Sequence, residues 1–268
     1  MSSSMPLLIE PAQLQAHLED SNLLIIDLCS EASYHEGHIP GAQYVSPKRL
    51  VCGEPPAAGK IPALHLLEQL FSGLGLTPDT HVVAYDDEGG GWAGRLIWTL
   101  DAIGHQHYSY LNGGIQGWRS AGLPQTQESA PRTPVPQSLS LDPEVVIEAD
   151  FILQHLGEPD FRVWDARSAG EYRGEKVLAQ KGGHIPGAIH CEWTSMMDPA
   201  HDLRIREDAD AALQQLGFSR EQTIVTHCQS HHRSGFTYLL GKILGYNVKG
   251  YHGSWSEWGN LPDTPVEV

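Results

Sequence analysis

No run of the chain stays apolar over the roughly 20 residues that a membrane-crossing helix needs, so a membrane is not expected as a partner. Basic side chains are also scarce. Lys and Arg number 17 against 33 Asp and Glu, for a net charge of −16, which makes nucleic acid or an anionic lipid surface an improbable counterpart. Cysteine is sparser still: Cys29, Cys52, Cys191 and Cys228 are scattered without a C-x-x-C pair. That spacing argues against a disulfide framework and for a reducing, cytoplasmic setting. The N-terminal MSSSMPLLIEPAQ carries neither the basic n-region nor the apolar h-region of an export signal, which agrees with that expectation.

What the chain does have is an internal repeat. Its 268 residues suffice for one large domain or two ordinary ones. IEPAQLQAHLEDSNLLIID returns as IEADFILQHLGEPDFRVWD at a constant offset, so Ile9 pairs with Ile147 and Asp27 with Asp165. GHIPGA occurs twice, at Gly37 to Ala42 and at Gly183 to Ala188. Each copy reads as a turn ahead of a short strand, at Gln43 to Val45 and at Ile189 to Cys191, with His38 and His184 as structural donors rather than ligands. The strands His81 to Tyr85 and Thr223 to His227 also correspond, which sets Asp86 opposite Cys228. Each half closes on a short strand and a Gly- and Trp-rich turn, with Trp118 and Trp258 as equivalent core aromatics.

Between the halves, LPQTQESAPRTPVPQSLSLDPE is rich in Pro, Ser and Gln and lacks apolar periodicity, as a linker does. The expected organisation is therefore a domain over residues 1–122, a linker over 123–144 and a second domain over 145–268. Strands alternating with helices predict an α/β fold of two tandem domains, each a central mostly parallel sheet with helices on both faces. Ligands of such sheets bind at the carboxyl ends of the strands.

One such end is TIVTHCQSHHRS, from Thr223 to Ser234. Ile224 and Val225 read as a buried strand that stops at His227-Cys228. Helical spacing resumes at Phe236, Leu239, Leu240, Ile243 and Leu244, with Ser234 as the expected N-cap and Gly245 as the stop. A loop wrapping from strand to helix turns its N–H groups inward and adds the positive end of the helix dipole. With His231, His232 and Arg233 beside it, Cys228 is expected to have a lowered pKa and a nucleophilic sulfur. The other reading of Cys228 is a small buried hydrophobe. In the first half the matching loop offers Asp86, Asp87 and Glu88, which repel an anion and cannot act as a soft nucleophile toward sulfur. No ordered ligand spacing supports a cation site there.

The duplicated GHIPGA, the strand-Cys-loop-helix unit and the Pro-rich linker together resemble the tandem-domain rhodaneses, a family of sulfurtransferases, over nearly the whole chain. The resemblance implies that the second domain alone is active. It also implies that its cysteine takes the outer sulfur of a donor such as thiosulfate, becomes a persulfide, and passes the sulfur to cyanide or another thiophile, with no cofactor or metal. The persulfide residue would be Cys228 and the cradle Gln229, Ser230, His231, His232, Arg233 and Ser234. CQSHHRS is similar to the loop of the Azotobacter-type bacterial rhodaneses, and differs from the CRKGVT of common thiosulfate-using members and the CGSGVT of mercaptopyruvate-using ones. A cationic loop favours thiosulfate, with mercaptopyruvate or another sulfane-sulfur donor as the alternative. Arg233 would pair with the sulfonate oxygens, and His231 and His232, partly charged near neutral pH, would tune the thiolate or receive sulfite. His227 reads as structural. In DARSAGEYRG, Arg167 matches the family's first substrate-facing arginine, whereas Glu171 stands where the second would be and Arg173 is the candidate to compensate.

Two rival readings remain. C-x4-R beside a helix N-terminus also resembles thiolate phosphatases and arsenate reductases, but the rhodanese-like phosphatases carry one further residue between Cys and Arg. Alternatively His227, Cys228, His231 and His232 form a metal-binding or sulfur-carrier module, for which the loop would have to unwrap. Two self-sufficient halves favour a monomer.

Overall fold

Runs of Leu, Ile and Val, buried on both faces as parallel sheets require, form the centres of two sheets. The computed structural model describes residues 5–268. Residues 1–4, at the head of the expected first domain and of the export-signal reading, lie outside the described residues. The first half contains β1 (Leu8–Ile9), β2 (Leu23–Asp27), β3 (Gln43–Tyr44), β4 (His81–Tyr85) and β5 (Tyr108–Leu111), in the order β1-β5-β4-β2-β3. The second half contains β6 (Val146–Ile147), β7 (Phe161–Asp165), β8 (Ile189–His190), β11 (Thr223–His227) and β12 (Asn247–Tyr251), in the order β6-β12-β11-β7-β8. The two orders are the same, and every pairing within them is parallel. The register repeats as well: Asp27 lies opposite Tyr85 and Asp165 opposite His227.

One ribbon breaks the symmetry. β9 (Met197–Asp198) and β10 (Arg204–Ile205) pair antiparallel in the second half and reach the first, where Arg204 Nη1 donates to Glu10 Oε2 at 2.5 Å and the Ile205 N–H to Asn112 Oδ1 at 3.1 Å.

Each GHIPGA turn does the same local work. His38 stacks on Tyr34 with ring centroids 3.8 Å apart, and His184 stacks on Tyr172 at 3.7 Å; each Nδ1 lies 2.9 Å from the carbonyl of its tyrosine. Each turn also bridges to a later strand-like residue, His38 to Thr126 and His184 to Glu267. Trp118 and Trp258 are fully buried, and each donates its Nε1–H to a proline carbonyl, Pro124 and Pro265, at 2.8 Å. The segment after Leu123 does not hang free. Thr126, Val135, Leu139 and Asp142 donate backbone N–H groups to residues of the first half, because an extended chain with no periodicity of its own satisfies its amides on a neighbouring surface.

The helices Gly91–Ala102 and Arg233–Ile243 cross between the halves. They meet at glycine. A Cβ on Gly94 would lie 2.2 Å from Gly235 O, and one on Gly235 would lie 2.6 Å from Arg95 N. Beyond the crossing, Lys242 Nζ and the Tyr238 hydroxyl both donate to Asp101 Oδ2, at 2.5 and 2.7 Å. The loops before both helices, at the carboxyl ends of β4 and β11, are thereby brought face to face.

Candidate active site

β11 ends at His227, and Cys228 is the first residue past the strand. The helix begins at Arg233 with His232 as N-cap, two residues earlier than the expected cap at Ser234. Ser234 is therefore not the cap. It sits in the first turn because the loop closes through His231, a non-glycine residue in the left-handed region at φ 55°, which turns the chain sooner than a Ser cap would. Cys228 is held from behind as well. Its N–H donates to Ser254 Oγ at 3.4 Å, and its carbonyl accepts from the Trp255 N–H at 2.9 Å.

The Cys228 side chain is buried, with 1% of the residue exposed. Burial pushes the thiol pKa up, but the Arg233 charge, the Ser234 hydroxyl and the N–H groups of Ser234 and Ser230 outweigh it and bring the pKa below its ordinary value. Cys29 and Cys191 behave oppositely. Burial pushes both up, at Cys29 with the help of Asp27. Three features converge on one sulfur: inward amides, a helix N-terminus and a guanidinium. The result is a stabilised thiolate.

Arg233 does more than face the sulfur. Its Nη1 and Nη2 donate to the two carboxylate oxygens of Glu171 at 2.7 and 2.8 Å. Glu171 also accepts from Ser168 N–H and Oγ–H, in a capping box at the start of a one-turn helix, Ala169–Tyr172. Burial would raise the Glu171 pKa, but the bonds from Arg233 and Ser168 hold it down at about 2. The expected pairing of Arg233 with sulfonate oxygens is left to the part of the fork that does not hold Glu171. Two of its nitrogens are already committed, and what remains faces the sulfur and the solvent.

Three further expectations change. Arg167 is buried, donates through Nε and Nη2 to Asp165 and through Nη2 to Gly183 O, and stacks over Trp255, so it holds the sheet edge and does not face a substrate. Arg173 does not compensate for Glu171; it is more than half exposed and paired with Glu175. His231 is not partly charged near neutral pH. Burial, with Arg95 nearby, pushes its pKa well below the ordinary value, and its Nδ1 lies 2.8 Å from Ser234 Oγ. With the Ser234 hydroxyl donating to sulfur, the serine oxygen accepts from that nitrogen.

The remaining loop residues point outward or backward. His232 stacks on Trp92 at 4.2 Å and hydrogen-bonds Glu88 of the first half through Nε2. Gln229 Nε2 donates to Leu178 O at 3.4 Å, and Ser230 contributes its amide. His227 is buried, with Nδ1 3.2 Å from Cys228 O and Nε2 3.6 Å from Asp165 Oδ2. Burial lowers its pKa to about 4. The four residues of the metal reading thus aim in different directions. Among the described residues no group of three or more His, Cys, Asp or Glu is arranged to hold a metal.

The first half repeats the geometry with different chemistry. Asp86 is fully buried and accepts from the N–H groups of Glu88, Gly89, Gly90 and Ala93 at 2.8 to 3.2 Å. A carboxylate fills the cradle that the second half offers to sulfur. Sequence reasoning missed two residues, Glu171 as the partner of Arg233 and Arg95, which reaches the loop from the first half. The signal for Arg95 was present: it is the one basic residue in the otherwise apolar run GGGWAGRLIWTL.

The rhodanese-like domain family matches the chain twice, over residues 10–121 and 148–261. A thiosulfate sulfurtransferase of Azotobacter vinelandii is 56% identical over 99% of this chain and 98% of its own length. A thiosulfate sulfurtransferase of Pseudomonas aeruginosa is 54% identical over the same shares of each chain. Among solved structures, an anaerobic ergothioneine biosynthesis enzyme from Chlorobium limicola superposes with a TM-score of 0.86 at 24% identity, covering 98% of this chain and 70% of that one. That likeness is one of fold.

Proposed function

The chain belongs to the rhodanese-like family and is a sulfurtransferase of the thiosulfate type, and from that premise we propose that Cys228 carries the sulfur. The Cys228 thiolate attacks the outer, sulfane sulfur of thiosulfate. The bond between that sulfur and the sulfonate sulfur breaks, sulfite leaves with the electron pair, and Cys228 becomes a persulfide. Cyanide or a thiol then attacks the terminal sulfur, forming thiocyanate or a new persulfide and releasing the thiolate. No proton must move in the first displacement, so no general base is needed, and the scheme is a two-step exchange through a covalent intermediate.

The single observation that carries this reading is the cradle. A fully buried cysteine whose thiol pKa falls despite burial, because two amides, a hydroxyl and a guanidinium face it, is arranged to hold negative sulfur. The Ser230 and Ser234 amides hold the terminal sulfur of the persulfide as an oxyanion hole holds developing charge. Arg233, anchored by Glu171, attracts the donor anion with the part of its fork that remains open. Gln229, His231 and His232 shape the loop instead of contacting the donor.

The same reading divides the chain into residues 1–122, a linker over 123–144 and the active unit 145–268, which the two equal strand orders support. It takes the protein as a monomer in the cytoplasm, supported by two halves whose hydrophobic clusters pack on each other within one chain and by four free thiols. No helix among the described residues is long and apolar enough to cross a membrane.

The test is an intact-mass spectrum after thiosulfate and again after cyanide. The wild type should gain one sulfur and then lose it, and Cys228→Ala should gain none. A folded wild type that keeps its mass in thiosulfate would sink the thiosulfate reading.

A further inference from the structure

The helix Gly91–Ala102 belongs to the half that has no nucleophile, yet one of its side chains ends under the active loop of the other half. Arg95 is fully buried and forms no ion pair with a carboxylate among the described residues. Its Nη2 donates to Leu50 O at 2.7 Å. Its Nη1 donates to Gly59 O at 2.7 Å and, at 3.4 Å, to the carbonyl of His231. The guanidinium lies 4.7 Å from the centre of the Trp98 ring, and its Nε has no partner among the described residues.

A buried cation without a counter-ion is costly. The anion that offsets it here is the sulfur of Cys228, against burial that lowers the guanidinium pKa to about 9. Contact between the halves is tight at this point, since a Cβ on Gly59 would fall 2.0 Å from Ser230 O. The carbonyl that Arg95 reaches belongs to His231, the residue whose left-handed conformation closes the loop. Fixing that peptide fixes the direction of the amides that follow it, including the Ser234 amide on the sulfur.

We propose that Arg95 is a positioning residue for sulfur transfer: from the half without a nucleophile, its guanidinium pins the His231 turn and supplies positive charge to the anionic sulfur on Cys228. The first half is then part of the active site and not only a scaffold. The proposal rests on the sulfurtransferase reading. The titratable and charged groups that act on the sulfur and its loop are Arg233 from its own helix, paired with Glu171, and Arg95 from the first half; His227, His232 and His252, the last held by Glu148, lie with Arg95 around His231.

The experiment measures the rate of Cys228 alkylation by iodoacetamide from pH 4 to 10, with folding followed by circular dichroism. The variants are Arg95→Gln and Arg95→Lys, each in a Cys29→Ala/Cys52→Ala/Cys191→Ala background whose own profile is recorded first. Arg95→Gln keeps donors for the first-half carbonyls but removes the charge. Its inflection should rise by about one pH unit, roughly tenfold less thiolate at a fixed low pH, with a matching loss in sulfur loading. Arg95→Lys keeps the charge without the fork, so it should lower the melting temperature yet leave the inflection near that of the background. An unmoved inflection in folded Arg95→Gln overturns the proposal. Should that variant not fold, an Arg95→Lys inflection raised by a full unit does so, because charge would then not be what acts. Alkylation does not depend on sulfur transfer. A failure of the thiosulfate reading would appear in the wild-type mass spectrum and leave this result standing.

Discussion

Asp86 and Cys228 occupy the same point of two copies of one fold, each the first residue past a central parallel strand and each wrapped by the amides of its own loop. The carboxylate of Asp86 accepts four N–H groups between 2.8 and 3.2 Å, while the sulfur of Cys228 faces two amides, a hydroxyl and the Arg233 charge. Both loops are anion cradles. One is filled permanently by its own side chain, and the other holds the sulfur that we propose is loaded and unloaded. The duplication therefore kept the geometry and let the chemistry of the loop diverge, with Asp86, Asp87 and Glu88 in one copy and Cys228, Arg233 and Ser234 in the other.

It follows that Asp86→Ala empties the first cradle and leaves three buried amides and one half-buried amide without an acceptor. Each unmet buried donor costs about 1–3 kcal/mol, offset where water enters, so the variant should lose about 2–4 kcal/mol of stability. Urea unfolding at pH 7 measures it. A loss below half a kcal/mol would mean the cradle does not depend on its carboxylate.

The ion pair between Arg233 and Glu171 predicts two opposite effects on thiosulfate. Arg233→Ala removes the charge on both sulfur and donor, and kcat/KM should fall about a hundredfold, or about 2.7 kcal/mol of transition-state stabilisation. Glu171→Gln removes a negative charge beside the incoming anion and loosens one arm of the fork. Its KM for thiosulfate should drop about threefold to tenfold, while thermal stability falls because the capping box weakens. Steady-state kinetics at fixed cyanide separate the two, and a raised KM in Glu171→Gln would show that orientation of Arg233 outweighs repulsion.

Acid should destabilise the fold through histidines buried neutral, His81 in the first half and His227 and His231 in the second. Unfolded, His227 and His231 take a proton near 6.5; folded, burial lowers the first to about 4 and the second well below its ordinary value. The unfolded chain binds more protons in that window, so stability rises with pH there. It is complete above about 6.5 and is lost as pH falls through 6 and 5, at up to about 1.4 kcal/mol per pH unit for each histidine. Urea midpoints at pH 7.5 and 5 test this. His231→Gln should lose less between the two pH values than the wild type, and equal losses would move the effect elsewhere.

Features that depend on neighbouring residues were legible in the sequence. The repeat, the strand ending at His227 and the polar loop that follows Cys228 are read from periodicity, identity and spacing within short windows, whereas the helix starts two residues before the expected cap because the turn is made by His231 in the left-handed region, which few non-glycine residues adopt. Charges were the weak point. The tie from Arg233 to Glu171 is not legible, because nothing local places Glu171, 62 positions away, against it. Arg167 and Arg173 look alike on paper, yet one is buried on Asp165 and the other lies in solvent with Glu175. His231 seemed a titrating group because its burial is made by Trp98 and Arg95 of the other half. Side chains whose role is set across the interface between the halves are invisible to a reading made within either.

That interface also makes the last prediction. The helices Gly91–Ala102 and Arg233–Ile243 approach closely enough that a methyl on Gly94 would lie 2.2 Å from Gly235 O and 2.8 Å from Phe236 N. Those are backbone atoms and cannot swing aside, so Gly94→Ala must push the helices apart. The cost appears first where both halves meet at the active loop: Arg95 is the next residue, its 3.4 Å contact with His231 O is the longest of its three hydrogen bonds, and Glu88 touches His232 from the same side. Overpacking of this kind costs about 1–3 kcal/mol in stability. Sulfur loading should suffer out of proportion, by tenfold or more at temperatures where the protein remains folded, because a displacement of a few tenths of an ångström misdirects the amides on Cys228 before it unfolds either sheet. Gly73→Ala is the control, since a Cβ there meets nothing within 4 Å. Loading that falls only in step with the folded fraction of Gly94→Ala would show that the two halves are coupled in stability and not in catalysis.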